Sequence, residues 1–182
     1  LKKYNMDVFD ATVTPAQGGS LRLFISKDKR KKTNRYKKLL LEERKEKLNT
    51  YSKSIEYRNN VKRISNKLKN IVQNLKKKGM IVAGYGAAAK GLTILKCSGL
   101  GKKHISYFVD DSPAKQGLYT PVDHIPIISR KQANKKLPHY FIILAPNYSD
   151  VIIKKEKEFI RRGGKFIIPK NELSIVWFRL KI

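Results

Sequence analysis

Met80-Ile81-Val82-Ala83-Gly84-Tyr85-Gly86-Ala87-Ala88-Ala89-Lys90-Gly91 is the stretch that decides the architecture of this chain. The uncharged apolar run Met80 to Ala83 predicts a short buried strand. Gly84, Gly86 and Ala89 then satisfy the pattern G-x-G-x-x-A, and Ala87 to Ser98 reads as a helix. The two glycines permit a tight turn and the close approach of a ligand, and the helix start aims free N–H groups at an anion. Lys90 adds a cation beside that anion. Asp110 and Asp111 close the next expected strand, at a spacing that suits a ribose-binding acid. Taken alone, the segment is compatible with a nicotinamide dinucleotide, with a nucleotide-linked sugar, or with a turn that only joins strand to helix.

Downstream, strand and helix patterns alternate. Ile105 to Val109 predicts a second strand, and Pro113, Gly117 and Pro121 mark a loop. Ile125 to Ile128 is expected to be extended, Gln132 to Lys136 a short helix, and Tyr140 to Ala145 an apolar strand. Asp150 to Arg162 reads as a helix, Lys165 to Ile168 as a strand after Gly163-Gly164, and Ser174 to Leu180 as a last extended segment. Apolar strands spaced by helices predict an α/β class, a Rossmann-like parallel-centred sheet covered on both faces, over residues 79–182. Ligands of open sheets sit at the carboxyl ends of the strands. Tyr85, Gly86, Ala87, Ala88, Lys90, Asp110, Asp111, Gln116, Tyr119 and Asn147 are therefore candidate binding residues.

Upstream, Val61, Ile64, Leu68, Ile71 and Leu75 recur at steps of three or four and predict a long helix ending at Gly79. Leu39 to Lys47 reads as a separate helix, with a break at Asn49 or Thr50. Residues 28–78 thus form a basic helical connector. Residues 1–27 hold two extended segments, around Val8 to Val13 and Leu21 to Ser26, with a turn forced by Pro15 and Gly18-Gly19. Two strands alone bury too little to stand in water, so they are expected to complete a sheet supplied by preceding chain. A first residue that is Leu, not Met, agrees with that expectation.

Composition narrows the classes. Lys and Arg number 41 against 14 Asp and Glu, a formal charge of +27 and a pI near 10.2. Such a field attracts polyanions, so a basic nucleic-acid-binding module is an alternative reading. No ribonucleoprotein aromatic motif, zinc finger or compact helix-turn-helix accompanies the charge. One cysteine, Cys97, excludes an internal disulfide and a cysteine-based zinc cluster, and His104, His124 and His139 are scattered. No apolar run reaches the length that spans a bilayer, and the Leu1 to Asn5 end lacks a signal-peptide core. A reducing, cytoplasmic setting is the expectation.

Several motifs together resemble one family. Gly84 to Gly91, Asp110-Asp111, Lys115-Gln116-Gly117-Leu118-Tyr119-Thr120-Pro121 and His124-Ile125-Pro126-Ile127 look like the C-terminal domain of S-adenosylmethionine-dependent nucleotide-sugar C-methyltransferases. Leu144-Ala145-Pro146-Asn147-Tyr148 and Gly163 to Pro169 continue the likeness in order. Asp10 and Gly18-Gly19-Ser20-Leu21-Arg22 resemble the end of that family's methyltransferase domain. The resemblance implies a parent with a zinc-bearing amino-terminal part and a central S-adenosylmethionine domain. It also implies a nucleotide-diphosphate 4-keto-6-deoxy sugar as ligand, with Ser20 and Arg22 near the sugar and no cofactor held by this region. In the family, a base removes the proton beside the ketone and the enediolate takes the methyl group.

One position departs from the family. Its proposed base is the histidine of a Glu-His pair directly before Gly-Gly-Ser, where this chain has Ala16 and Gln17. A neutral amide oxygen is too weak a base to accept that proton, although it still hydrogen-bonds a sugar oxygen. The resemblance therefore implies sugar binding more strongly than it implies this catalysis.

Overall fold

The computed structural model describes residues 1–170 and 173–176, and the backbone but not the side chain of Gln17. The chain divides into two compact units, Leu1–Arg58 and Asn59–Ile182, with the division inside a long helix.

In the first unit, the two expected extended segments are β1 (Asp7–Thr14) and β2 (Ser20–Ser26), which pair antiparallel with a bulge between Val8 and Asp10. Gly18 at φ 81° and Gly19 at φ 122° make the turn, a backbone region that side chains with a Cβ rarely enter. The helix α1 (Asn34–Lys45) starts earlier than Leu39 because Thr33 caps it, its hydroxyl accepting from the Tyr36 amide at 3.2 Å. The buried carboxylate of Asp10 accepts from the Thr33 hydroxyl at 2.5 Å and from Arg35 Nε at 2.8 Å, which ties α1 to β1. Val13, Leu21, Leu23 and Ile25 stay exposed along this pair.

The second unit is built on a six-stranded sheet in the order β5-β4-β3-β6-β7-β8. Its strands are β3 (Val82–Tyr85), β4 (Phe108–Val109), β5 (Ile127–Ile128), β6 (Tyr140–Ile143), β7 (Lys165–Pro169) and β8 (Leu173–Val176). All neighbours run parallel except β8, which is antiparallel to β7. The expected continuation beyond Val176, as far as Leu180, lies outside the described residues. β3 lies between β4 and β6, as a charge-free run requires, but it is placed two residues later than Met80 to Ala83. Ile81 is held instead by His139, whose Nδ1 accepts the Ile81 amide at 2.9 Å.

Side-chain alternation along the strands sorts the core into two layers. Val82, Phe108, Ile142, Leu144 and Ile167 face Leu68 and Val72 of α2 (Tyr51–Lys77) and Leu95 of α3 (Ala89–Cys97). Ala83, Tyr85, Val109, Phe141, Ile143 and Phe166 face Ala133 of α4 (Arg130–Ala133), Ile152 of α5 (Ser149–Lys155), and Phe159 and Ile160 of α6 (Lys157–Arg161). The single helix expected from Asp150 to Arg162 is thus two helices, broken at Glu156 with φ −98° and ψ 28°. No helix among the described residues is long and apolar enough to cross a membrane.

Candidate functional site

The turn after β3 is shaped by packing and closed from within. Gly86 has φ 84°, so a residue with a side chain is strained there. Gly91 is required by contact, since a Cβ would lie 2.3 Å from the Leu144 Cβ and carbonyl oxygen. The Ala87 amide, which a bound pyrophosphate would seek, donates at 2.7 Å to Asp110 Oδ2. The same oxygen takes the Lys115 ammonium at 3.1 Å, and Lys115 also donates to the Ala87 carbonyl at 3.2 Å. Asp110 Oδ1 accepts the Ser112 amide at 2.9 Å, and Gln116 Nε2 donates to the Asp110 carbonyl at 2.9 Å. The two halves of a dinucleotide fingerprint, amide and acid, satisfy each other here. That arrangement opposes the nicotinamide reading.

Burial opposes the charge of Asp110, but the Ser112 and Ala87 amides and Lys115 outweigh it and hold the carboxyl below its ordinary value. A carboxyl depressed on folding adds stability above its unfolded pKa, near 3.8, and loses it as pH falls through the folded value. Asp110→Asn should therefore lower the melting temperature at pH 7, by about 1.5 kcal/mol of stability, and flatten its decline below about pH 4. Identical acid limbs for variant and wild type would show that Asp110 does not carry this charge.

The other candidates divide by position. Lys90 is exposed in the first turn of α3, and Asn147 is exposed in the short turn Pro146–Tyr148 after β6. Asp111 is exposed and pairs with Lys155 at 2.7 Å, and Tyr119 is 62% exposed beside β5. These four, with Gly86, Ala88 and Gln116, gather on segments that follow the carboxyl ends of β3, β4 and β6. Tyr85 does not join them. Its ring stands edge-on to Phe141 in the core, and its hydroxyl donates to Glu156 Oε1 at 3.0 Å. Burial, followed by the charge of Glu156, pushes the Tyr85 phenol far above its ordinary value.

Sequence reasoning passed over Lys115, Arg130 and Glu156. Glu156 is buried and accepts Arg130 Nε at 2.8 Å from both oxygens, making a Tyr85–Glu156–Arg130 cluster. A signal was present: Glu156 falls on the stripe Ile152, Glu156, Phe159, Ile160, a charge at a core position. In the first unit, Ser20 Oγ donates to the Ala16 carbonyl at 2.9 Å, Arg22 is exposed opposite Thr12, and the Gln17 backbone lies in the turn between the strands. Among the described residues no group of His, Cys, Asp or Glu side chains is arranged to hold a metal.

The class defined by this arrangement is an α/β domain with a self-closed glycine turn at the carboxyl end of the strand β3. The profile of the C-methyltransferase C-terminal domain family matches residues 15–170, and the chain belongs to that family. It is similar to the C-methyltransferase NovU of Streptomyces niveus, 32% identical over 177 residues, which cover 96% of this chain and 42% of that protein. The chain thus spans less than half the length of this curated relative.

Proposed function

We propose that this chain is the region of a sugar C-methyltransferase that holds the nucleotide-linked sugar, a 4-keto-6-deoxy sugar on thymidine or uridine diphosphate. The observation that carries the reading is the set Lys90, Asp111, Tyr119 and Asn147, exposed around a turn that Asp110 and Lys115 already close. Lys90 neutralises the diphosphate, the Asp111 carboxylate accepts from hydroxyls of ribose or sugar, and the Tyr119 ring offers a face to the base. Family membership and the NovU match support the methyltransferase context.

S-Adenosylmethionine does not fit the residues described. The one glycine-rich strand-to-helix turn among them has its Ala87 amide bound to Asp110, and no second such loop is present. The cofactor is assigned to a preceding methyltransferase domain, and the exposed Val13, Leu21, Leu23 and Ile25 suit the strands β1 and β2 to joining its sheet.

Calorimetry against a ligand panel tests the assignment. Thymidine or uridine diphosphate-sugars should bind, Lys90→Ala should weaken them about tenfold, and S-adenosylmethionine should give no heat. Tight nicotinamide dinucleotide binding without a response to nucleotide-sugars would establish the oxidoreductase reading instead. Binding to duplex DNA alone, with steep salt dependence, would establish the nucleic-acid reading.

A further inference from the structure

The opposite edge of the same sheet carries a second concentration of charge, which the sugar site does not use. Between residues 57 and 109 stand twelve Lys and Arg and no Asp or Glu, and of these only Lys90 belongs to the sugar site. The part of this stretch that meets the amino end of β4 borders an open groove of about 470 Å³. Lys96, Lys102, Lys103 and His104 line it, with the backbone of Gly99 and Gly101. Asp123, across the groove, is the one acidic side chain in its lining and pairs with Lys96 at 3.3 Å. Lys102 and Lys103 are exposed and have no acidic partner among the described residues.

The far wall is strained. Val122 lines the groove at φ 69° and is 71% exposed, and His124 has φ 47°. A β-branched residue in the left-handed region is a true outlier, and such strain persists only where its surroundings impose it. Thr120, almost fully buried, imposes it here: its amide donates to the Ile125 carbonyl at 2.9 Å and its hydroxyl accepts the Ile125 amide at 3.0 Å. The wall is thus a pinned turn.

We infer that this groove is a binding site for an oligophosphate, a chain of two or three linked phosphates held by Lys102 and Lys103 with Lys96 and His104 beside them. A compact multivalent anion suits uncompensated ammonium groups around a short groove, and the strongly hydrated lysine head suits phosphate as a point charge. No Phe, Tyr or Trp side chain lines the groove, so there is no broad stacking surface for a base, and recognition falls on the phosphates. The site lies at the amino ends of the strands, apart from the proposed sugar site, and stands or falls independently of it.

His104 supplies a local reporter. Burial first, and then the charges of Lys76, Lys103 and Lys69, hold its ring below the ordinary histidine value. The charged groups that bear on it are Lys69 and Lys76 from α2, Lys102 and Lys103 from its own loop, and Lys96 with Asp123 across the groove. An oligophosphate bound there offsets those cations and restores the imidazolium.

The test is an NMR titration of the 182-residue chain with inorganic triphosphate, following the His104 ring protons across pH. The expected result is saturable binding with a rise of about one pH unit in the His104 pKa. Lys102→Ala/Lys103→Ala should weaken binding about tenfold. Lys154→Ala/Lys157→Ala, which removes the same charge elsewhere, should change it less than twofold. Sulfate at equal ionic strength reproducing the His104 shift would reduce the effect to screening and overturn the proposal. So would equal losses in the two double variants, an unmoved His104 under saturating triphosphate, or binding to duplex DNA without any to triphosphate.

Discussion

Glu156→Ala should be among the most destabilising single substitutions in this chain, costing about 3 kcal/mol. Glu156 is buried and is the shared acceptor of Tyr85 and Arg130, with Arg130 side-chain exposure only 21%. Removing it leaves a mostly buried guanidinium without its counter-charge and a buried phenol without an acceptor, and the desolvation penalty of both remains. For a domain of this size the loss corresponds to a fall of roughly 10 °C in melting temperature. Tyr85→Phe removes one donor and leaves the ion pair, so about 1 kcal/mol is expected from it. The pair of variants separates an ion-pair role from packing. Thermal unfolding that places Glu156→Ala within a degree or two of wild type would mean that the cluster contributes nothing to stability.

Gln17→His should raise the exchange of the proton beside the ketone by about 10²- to 10⁴-fold, the usual contribution of a general base. The experiment uses the protein with the methyltransferase domain proposed to precede this region, a 4-keto nucleotide-sugar and deuterated water, with proton NMR as the readout. The expectation follows from the resemblance, which places the family's histidine in the turn Ala16–Gly18 between β1 and β2, where this chain has Gln17. If Gln17 is instead adapted to orient a different substrate, the substitution will weaken turnover of that substrate and leave exchange unchanged. No gain in exchange with the sugar demonstrably bound would remove the family mechanism from this protein.

Much of the fold was legible because it rests on local periodicity. Uninterrupted apolar runs such as Phe141-Ile142-Ile143-Leu144 and Phe166-Ile167-Ile168, whose side chains alternate between the two layers, fix strands buried on both faces. The stripe Leu68, Ile71, Leu75 similarly fixes one face of α2, though Val72 widens it. The same periodicity, applied one step further, removes Tyr85 from the ligand edge. Ala83 and Tyr85 share a face, and that face is the core side that packs on Phe141. The glycine motif drew attention away from it, because Gly84 reads as the start of a turn and is in fact the third residue of β3. Gly84 is there because a Cβ would meet the Phe108 ring at 2.5 Å.

The clasp between Ala87, Asp110 and Lys115 was beyond local reading. Its bonds join residues 23 and 28 positions apart, and nothing in either segment states that acid and amide will meet. Asp110 therefore looked like a free ribose ligand. Lys115 lay inside the motif Lys115-Gln116-Gly117 but offered no reason to separate it from the other lysines in so basic a chain.

The central claim is that the carboxyl ends of β3, β4 and β6 hold the nucleotide-sugar, and amide chemical-shift mapping tests it most directly. The chain would be titrated with a thymidine diphosphate 4-keto-6-deoxy sugar, with inorganic triphosphate present to occupy any phosphate site at the opposite edge. The account predicts saturable shifts concentrated at residues 86–91, 110–119 and 146–148, and none at residues 99–104. Shifts confined to residues 99–104, or no saturable shift at the three strand-end segments, would contradict it.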